Sequence, residues 1–310
     1  TTLTNALYKH TYPAGLFPSG LNVIPKTHSD WGMKYALEVK PRGKEGEYSP
    51  TGRIVFLSIG MSNTSQEFSS QSGTTTYNPW SFMGKVIGNP DVNPKISFIN
   101  GAKAGQDATQ WVSTSNANYL RIKKVLTVNN LSEAQVQVVW LKVAHKLPTV
   151  ALPSSDADAY KLRDNLAKIA RALKRRYPNL KQVFLSSRIY AGHATVALSP
   201  EPYAYESGFA VKWLIEAQIL EMSGRPVGRR IQNLNYAVET APWLSWAAYL
   251  WSDGTDVVDT PEVENLPFQR GDFEWDGTHP SREGEEKVAK ALYRFFSSSV
   301  HTKPWFLVKE

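Results

Sequence analysis

Hydrophobic residues along this chain fall into short dense runs, separated by longer stretches in which apolar positions recur every three or four residues. The runs RIVFLSI (53–59), KISFI (95–99), VQVVWLKV (136–143) and KQVFLSS (181–187), with WAAYLW (246–251) as a fifth, have the length and the β-branched or aromatic content of buried strands. Three of the stretches between and after them predict helices. In 157–177, Leu162, Leu166, Ile169, Ala170, Leu173 and Tyr177 share one face, with Lys168, Arg171, Lys174 and Arg175 mostly on the wet face. The segment 206–222 is long enough for a helix and ends in Ser-Gly-Arg-Pro. In 282–298, Val288, Ala291, Leu292, Phe295 and Phe296 line one side, and the first turn is acidic, as the helix dipole favours. Strands alternating with such helices predict an α/β fold, a mostly parallel five-stranded sheet covered on both faces. Residues 1–50, rich in Pro, Gly and Lys, read as an irregular extension packed on a core formed by 51–310.

Open parallel sheets bind ligands beyond the carboxyl ends of their strands. Ser62, the segment Gly101 to Gly105, Ala144-His145 and Arg188 to Tyr190 all follow strands, so they are expected on one rim. The first of these poses the chemical question. Gly60-Met61-Ser62-Asn63 is either an ordinary turn or a device that presents Ser62 at the end of a buried strand.

A nucleophilic serine needs a base, a group that orients the base, and donors for the oxyanion. The chain has six histidines, few enough to weigh each one. His10 and His28 lie in the extension and His301 in the tail, while His145 and His193 follow strands and remain possible. His279 stands out in FEWDGTHPSREGEEKVAKAL, where Asp276 precedes it by three residues at the entry to the last helix and Pro280 restricts the loop. The alternative is that Asp-Gly is a turn and His-Pro-Ser opens a helix.

Composition narrows the classes. The absence of cysteine removes thiol catalysis, disulfides and cysteine metal sites. A formal charge of +7 permits an anionic partner, but the basic residues are dispersed and no nucleic-acid motif is present, so no nucleic-acid partner is expected. No run of 18 apolar residues occurs to span a membrane, and the N-terminus lacks the profile of a secretion signal. The lack of cysteine fits an exported protein, though many cytosolic ones share it. Metal and cofactor are not called for, since His145 and His193 with acids such as Asp107 match no compact ligand spacing. Asn63-Thr64-Ser65 and Asn130-Leu131-Ser132 satisfy the glycosylation pattern.

Taken together, these blocks resemble the SGNH (GDSL-like) hydrolase superfamily, over roughly residues 53 to 298. The first block, strand then Gly-Asp-Ser in the family, is Gly60-Met61-Ser62-Asn63 here, with Met in place of Asp. The Gly-x-Ser-Asn form also resembles the variant of sialate O-acetylesterase-like and related carbohydrate esterases. ISFINGAKAGQDATQW matches the second block, and Asp276-x-x-His279 the last. The resemblance implies a flavodoxin-like three-layer α/β/α fold and a Ser62–His279–Asp276 triad with the Ser62 and Gly105 amides as oxyanion donors. It implies no metal or cofactor, and hydrolysis of a small acyl ester, such as an acetyl ester of a carbohydrate. The third block departs: VVWLKVAHK has Lys142 where the family has Gly and Ala144 where it has the donor Asn. Asn63, Gln106, Lys142 or His145 are the candidates to replace that donor, and Arg188 and Tyr190 are candidate substrate contacts, Arg188 for an anionic group or for a salt bridge. Tyr203 and Tyr205 are expected with them on a long loop over the rim, and Trp111 and Trp275 are candidate platforms. A lipase- or thioesterase-like hydrolase of longer acyl chains, or a catalytically silent glycan-binding relative, are the alternatives.

Overall fold

The computed structural model describes residues 6–69, 76–254 and 266–308. Five strands form one sheet: β1 (Ile54–Gly60), β2 (Ile96–Asn100), β3 (Val136–Lys142), β4 (Gln182–Leu185) and β5 (Trp243–Trp246). All neighbouring pairs are parallel and the spatial order is β2-β1-β3-β4-β5, the flavodoxin-like doubly wound order. The chain leaves β1 for one side of the sheet and returns to the other side at β3. The carboxyl ends of β1, β2 and β3 therefore frame the crevice where such folds bind ligands.

Both faces of the sheet are covered, which is why the strands read as continuous apolar runs rather than alternating ones. Val55, Leu57 and Ile59 of β1 face a core shared with α4 (Ala117–Val128), α5 (Asp158–Arg176) and α6 (Tyr203–Met222). Ile54 and Phe56 face the opposite core with α1 (Lys26–Glu38), α2 (Ser62–Phe68), α3 (Phe82–Val86) and α7 (Arg282–Ser298). This second core is aromatic: the Phe56 ring lies between 4.9 and 5.9 Å from those of Phe68, Phe82, Phe98, Phe296 and Trp305.

Three expectations need correction. The fifth strand is not 246–251 but Trp243–Trp246, because its partner β4 ends at Leu185 and offers no ladder beyond it; Ala247 N–H still donates to Leu185 O, and Ala248 to Leu250 stay buried outside the strand. The first fifty residues are not irregular throughout, since they contain α1. Its buried face is His28, Gly32, Tyr35 and Ala36, spaced as a helix requires, but His and Gly do not register as hydrophobic positions. His28 is accommodated by a bond of Nε2 to Leu244 O (2.8 Å), and Gly32 by the Trp243 ring, which a Cβ there would meet at 2.3 Å. On α5, Lys174 is buried rather than wet, its ammonium donating to Pro178 O at the helix end.

Truncation of Phe56 to Ala should cost about 3–5 kcal/mol, because the rings around it belong to four different elements and the terminal segment and cannot all close the cavity. Denaturant unfolding of the variant measures this. A loss under about 1 kcal/mol would mean that the aromatic core repacks freely.

Candidate active site

Gly60 ends β1 where β3 passes so close that a Cβ would meet Lys142 O at 2.1 Å and Thr64 Oγ1 at 2.3 Å. Met61 remains extended (φ −97°, ψ −163°), and Ser62 is the first residue of α2. The glycine that drew attention to this turn in the sequence is thus required by a close approach, not by an unusual φ. Thr64 Oγ1 donates to Lys142 O, and the Lys142 ammonium binds both oxygens of Glu67, at 2.5 and 2.6 Å. Both charged side chains are buried. Burial lowers the Lys142 ammonium to about 8 and raises the Glu67 carboxyl, each shift being resisted by the attraction of the other group.

The last block arrives from the far end of the chain. Asp276 Oδ1 accepts the Thr278 and His279 amides, both at 2.9 Å, and Oδ2 accepts the imidazole Nδ1–H at 2.6 Å. One carboxylate therefore both folds the Asp-Gly-Thr-His turn and orients the ring. Gly277 sits at φ +65°, and a Cβ there would lie 1.8 Å from His193 O, so the turn also needs glycine to pack on the 193–195 segment. Thr195 N–H donates to Asp276 O, and Glu274 N–H to His279 O. The free ring nitrogen of His279, Nε2, is 2.8 Å from Ser62 Oγ. Asn63 Nδ2 donates to Thr278 O (2.9 Å), fastening α2 to the histidine turn.

Burial alone would raise the Asp276 carboxyl, but the bonds from the His279 ring and from the His279 and Thr278 amides outweigh it and hold it below its ordinary value. The carboxylate is consequently kept ionised beside the imidazole.

Ser62 and His279 open onto a cleft of about 190 Å³ walled by Met61, Asn63, Gly105, Lys146, Arg188 and Thr278 among others. Gly105 has φ +74° with open space where a side chain would stand, so its backbone conformation is what selects glycine. Its N–H meets no acceptor among the described residues, and the Ser62 N–H belongs to the first turn of α2, where a helix leaves its amides without partners.

The structure separates the remaining candidates. Lys142 is turned to Glu67 and cannot serve as the missing donor. His145 lies in a different, small cavity, with Nε2 3.0 Å from Asn165 Nδ2. Gln106 is outside the cleft, its Oε1 accepting from Asn118. Asn63 lines the cleft, but its amide is directed to the Thr278 carbonyl. Tyr190 packs edge-on against His193 and Trp251, and His193 packs against Phe273. Tyr203 and Tyr205 belong to α6 rather than to a loop. Trp111 is fully buried, donating to Gln106 O, so it is core; Trp275 is 78% exposed and outside the cleft. Asn63, only 3% exposed, is also unsuited to carry a glycan.

Sequence reasoning missed Lys146, Leu198 and Thr278 in the cleft wall. Lys146 and Thr278 had a usable signal, since each adjoins a histidine already singled out at the rim. Glu67 could have been sought as well, because a lysine inside a buried strand requires a buried acid.

No protein-family model matches the chain, and no curated protein matches it. Among solved structures, a protein described as a GDSL-like lipase from Parabacteroides merdae has 11% identity and a TM-score of 0.40, covering 83% of this chain and 98% of that one. An extracellular lipase from Streptomyces rimosus has 13% identity and a TM-score of 0.35, over 79% of this chain and 100% of that one. A carbohydrate esterase family 2 enzyme with its binding domain, from Corynascus thermopiles (Myceliophthora fergusii), has 14% identity and a TM-score of 0.38, over 79% and 67%. Likenesses of that strength carry no conclusion about this chain, whose fold is established by the order of its own strands.

Two outcomes are expected at this site. Lys142→Met, which strands the Glu67 charge, should destabilise by about 3–5 kcal/mol, and Lys142→Met/Glu67→Leu should recover most of the loss in denaturant unfolding. A double variant as weak as the single would discount the pair. Because the folded-state carboxyl of Asp276 lies below its unfolded value, its stabilising contribution is present above about pH 4 and lost as pH falls through the folded value. Thermal unfolding of wild type and Asp276→Asn should therefore differ most near neutrality and converge in acid; a gap independent of pH would contradict this.

Proposed function

We propose that this chain is a serine ester hydrolase of the SGNH type, removing a small acyl group, with acetyl the leading candidate, from a polar alcohol such as a carbohydrate. The observation that carries the reading is the continuous chain Ser62 Oγ–His279 Nε2 (2.8 Å), His279 Nδ1–Asp276 Oδ2 (2.6 Å), delivered from opposite ends of the domain to the switch point of the sheet. A surface built only to bind has no need of a nucleophile, a base and an orienting acid in register.

In this mechanism Ser62 Oγ attacks the ester carbonyl carbon as its proton passes to His279 Nε2. The carbonyl oxygen becomes an oxyanion, received by the Ser62 and Gly105 amides. Collapse of the tetrahedral intermediate breaks the bond to the alcohol oxygen, which leaves with the proton from His279. Water then attacks the acyl-enzyme, giving a proton to His279, and the second collapse returns that proton to Ser62 Oγ and frees the acid. Asp276 holds the Nδ1–H tautomer throughout and offsets the charge on the imidazolium. The cleft volume of about 190 Å³ favours a small acyl group over the long chains of a lipase or thioesterase.

Hydrolysis of 4-nitrophenyl acetate tests the reading. Ser62→Ala and His279→Ala should lower kcat by at least about a thousandfold, and Asp276→Asn by on the order of a hundredfold to ten-thousandfold. A fluorophosphonate should leave one adduct, on Ser62. Acetyl should be preferred to octanoyl in a chain-length series; the reverse order would favour the lipase-like alternative. No turnover and no adduct would leave the silent glycan-binding relative as the better account.

A further inference from the structure

One buried cation in the cleft wall has no counter-ion among the described residues. Arg188 follows β4, is 5% exposed, and is one of the residues that wall the cleft with Ser62 and His279. The only hydrogen bond its guanidinium makes among the described residues is a long one, from an Nη to Leu198 O (3.4 Å), and Leu198 is itself a wall residue. Among the described residues its buried Nε–H has no acceptor, and no carboxylate lies within ion-pair distance.

The described acids around it are held elsewhere. Glu67 is bound by the Lys142 ammonium. Glu201 accepts the Ala191 and Tyr205 amides and the Trp251 indole N–H. Asp276 is engaged by the His279 ring and two amides. Burial lowers the guanidinium's proton affinity, but from so high a starting point that arginine stays charged. On the same wall stand the exposed Lys146, without an ion pair among the described residues, and Thr278, whose buried Oγ1 has no partner among them either. Among the described residues the cleft wall contains no carboxylate. A buried, unpaired arginine is costly unless an anion completes it, and its planar fork suits a carboxylate.

Resting on the esterase reading above, we infer that Arg188, with Lys146 at the mouth, forms a subsite for a carboxylate carried by the substrate, so that the preferred ester is anionic. This subsite would bind the ground state and the transition state alike, so its signature is selectivity between charged and neutral esters rather than a uniform loss of turnover.

Two matched pairs of probes place the charge on either half of the ester: 4-acetoxybenzoate against methyl 4-acetoxybenzoate, and mono-4-nitrophenyl adipate against 4-nitrophenyl hexanoate. In one pair, wild type should favour the anionic member in kcat/KM by about tenfold to a hundredfold, and Arg188→Gln should bring that ratio close to unity. Lys146→Gln, at an exposed position, should reduce the ratio partially and serves if Arg188→Gln fails to fold. In parallel, calorimetry on Ser62→Ala should detect 4-acetoxybenzoate or the adipate monoester, with affinity at least about tenfold weaker when Arg188→Gln is added, or Lys146→Gln if that protein does not fold. Hydrolysis of both members of each pair without anionic preference would overturn the subsite and leave the esterase standing. No hydrolysis of any probe would overturn the esterase reading, and the binding measurement on Ser62→Ala would then decide the subsite alone, loss of affinity supporting it and unchanged affinity or no binding ending it.

Discussion

Lys142 fixes where the helix bearing the candidate nucleophile begins. Its carbonyl sits against Gly60 and accepts from Thr64 Oγ1, and its ammonium is tied to Glu67 one turn further along α2. Backbone and side chain of a single residue thereby hold both ends of a seven-residue helix that is too short to be stable by itself. The position that in the resembling family carries glycine is occupied here by a buried cation. The cost of burying it is met by a partner on the element it positions, so the departure from the family pattern is also the device that anchors Ser62.

The histidine turn is held by a different kind of constraint. Asp276 satisfies two backbone amides and one imidazole at once, Gly277 allows the turn to press on the His193 carbonyl, and Asn63 closes the assembly by donating to Thr278 O. None of these contacts is with the sheet. The turn is carried to the rim by α7, whose Val288, Leu292, Phe295 and Phe296 are buried in the aromatic core under β1 and β3. The energetic weight of placing His279 thus lies in hydrophobic packing some distance from it, while its orientation lies in a few short polar bonds.

Electrostatics divide the site into two layers. Behind Ser62, the Lys142–Glu67 pair is closed on itself; in front, Arg188 and Lys146 face the cleft with no acid among the described wall residues. Charge on the inner layer serves the fold, and charge on the outer layer is left for whatever enters.

The sequence by itself determined the α/β class, four of the five strands to within two residues at most ends, the three long helices, and the triad candidates Ser62, Asp276 and His279, because each of these is written in local pattern: apolar runs, helical spacing, and polar residues placed where such patterns stop. It could not place the fifth strand, whose extent is set by where β4 ends, nor α1, whose buried face uses histidine and glycine. Only the tertiary structure decided which rim residues share the cleft. His145, Gln106 and Tyr190 stand at strand ends or beside them and yet turn away, while Arg188 is left without a salt-bridge partner among the described residues. Those outcomes depend on which buried charge finds which partner across elements distant in sequence, and pairing of that kind has no local signature.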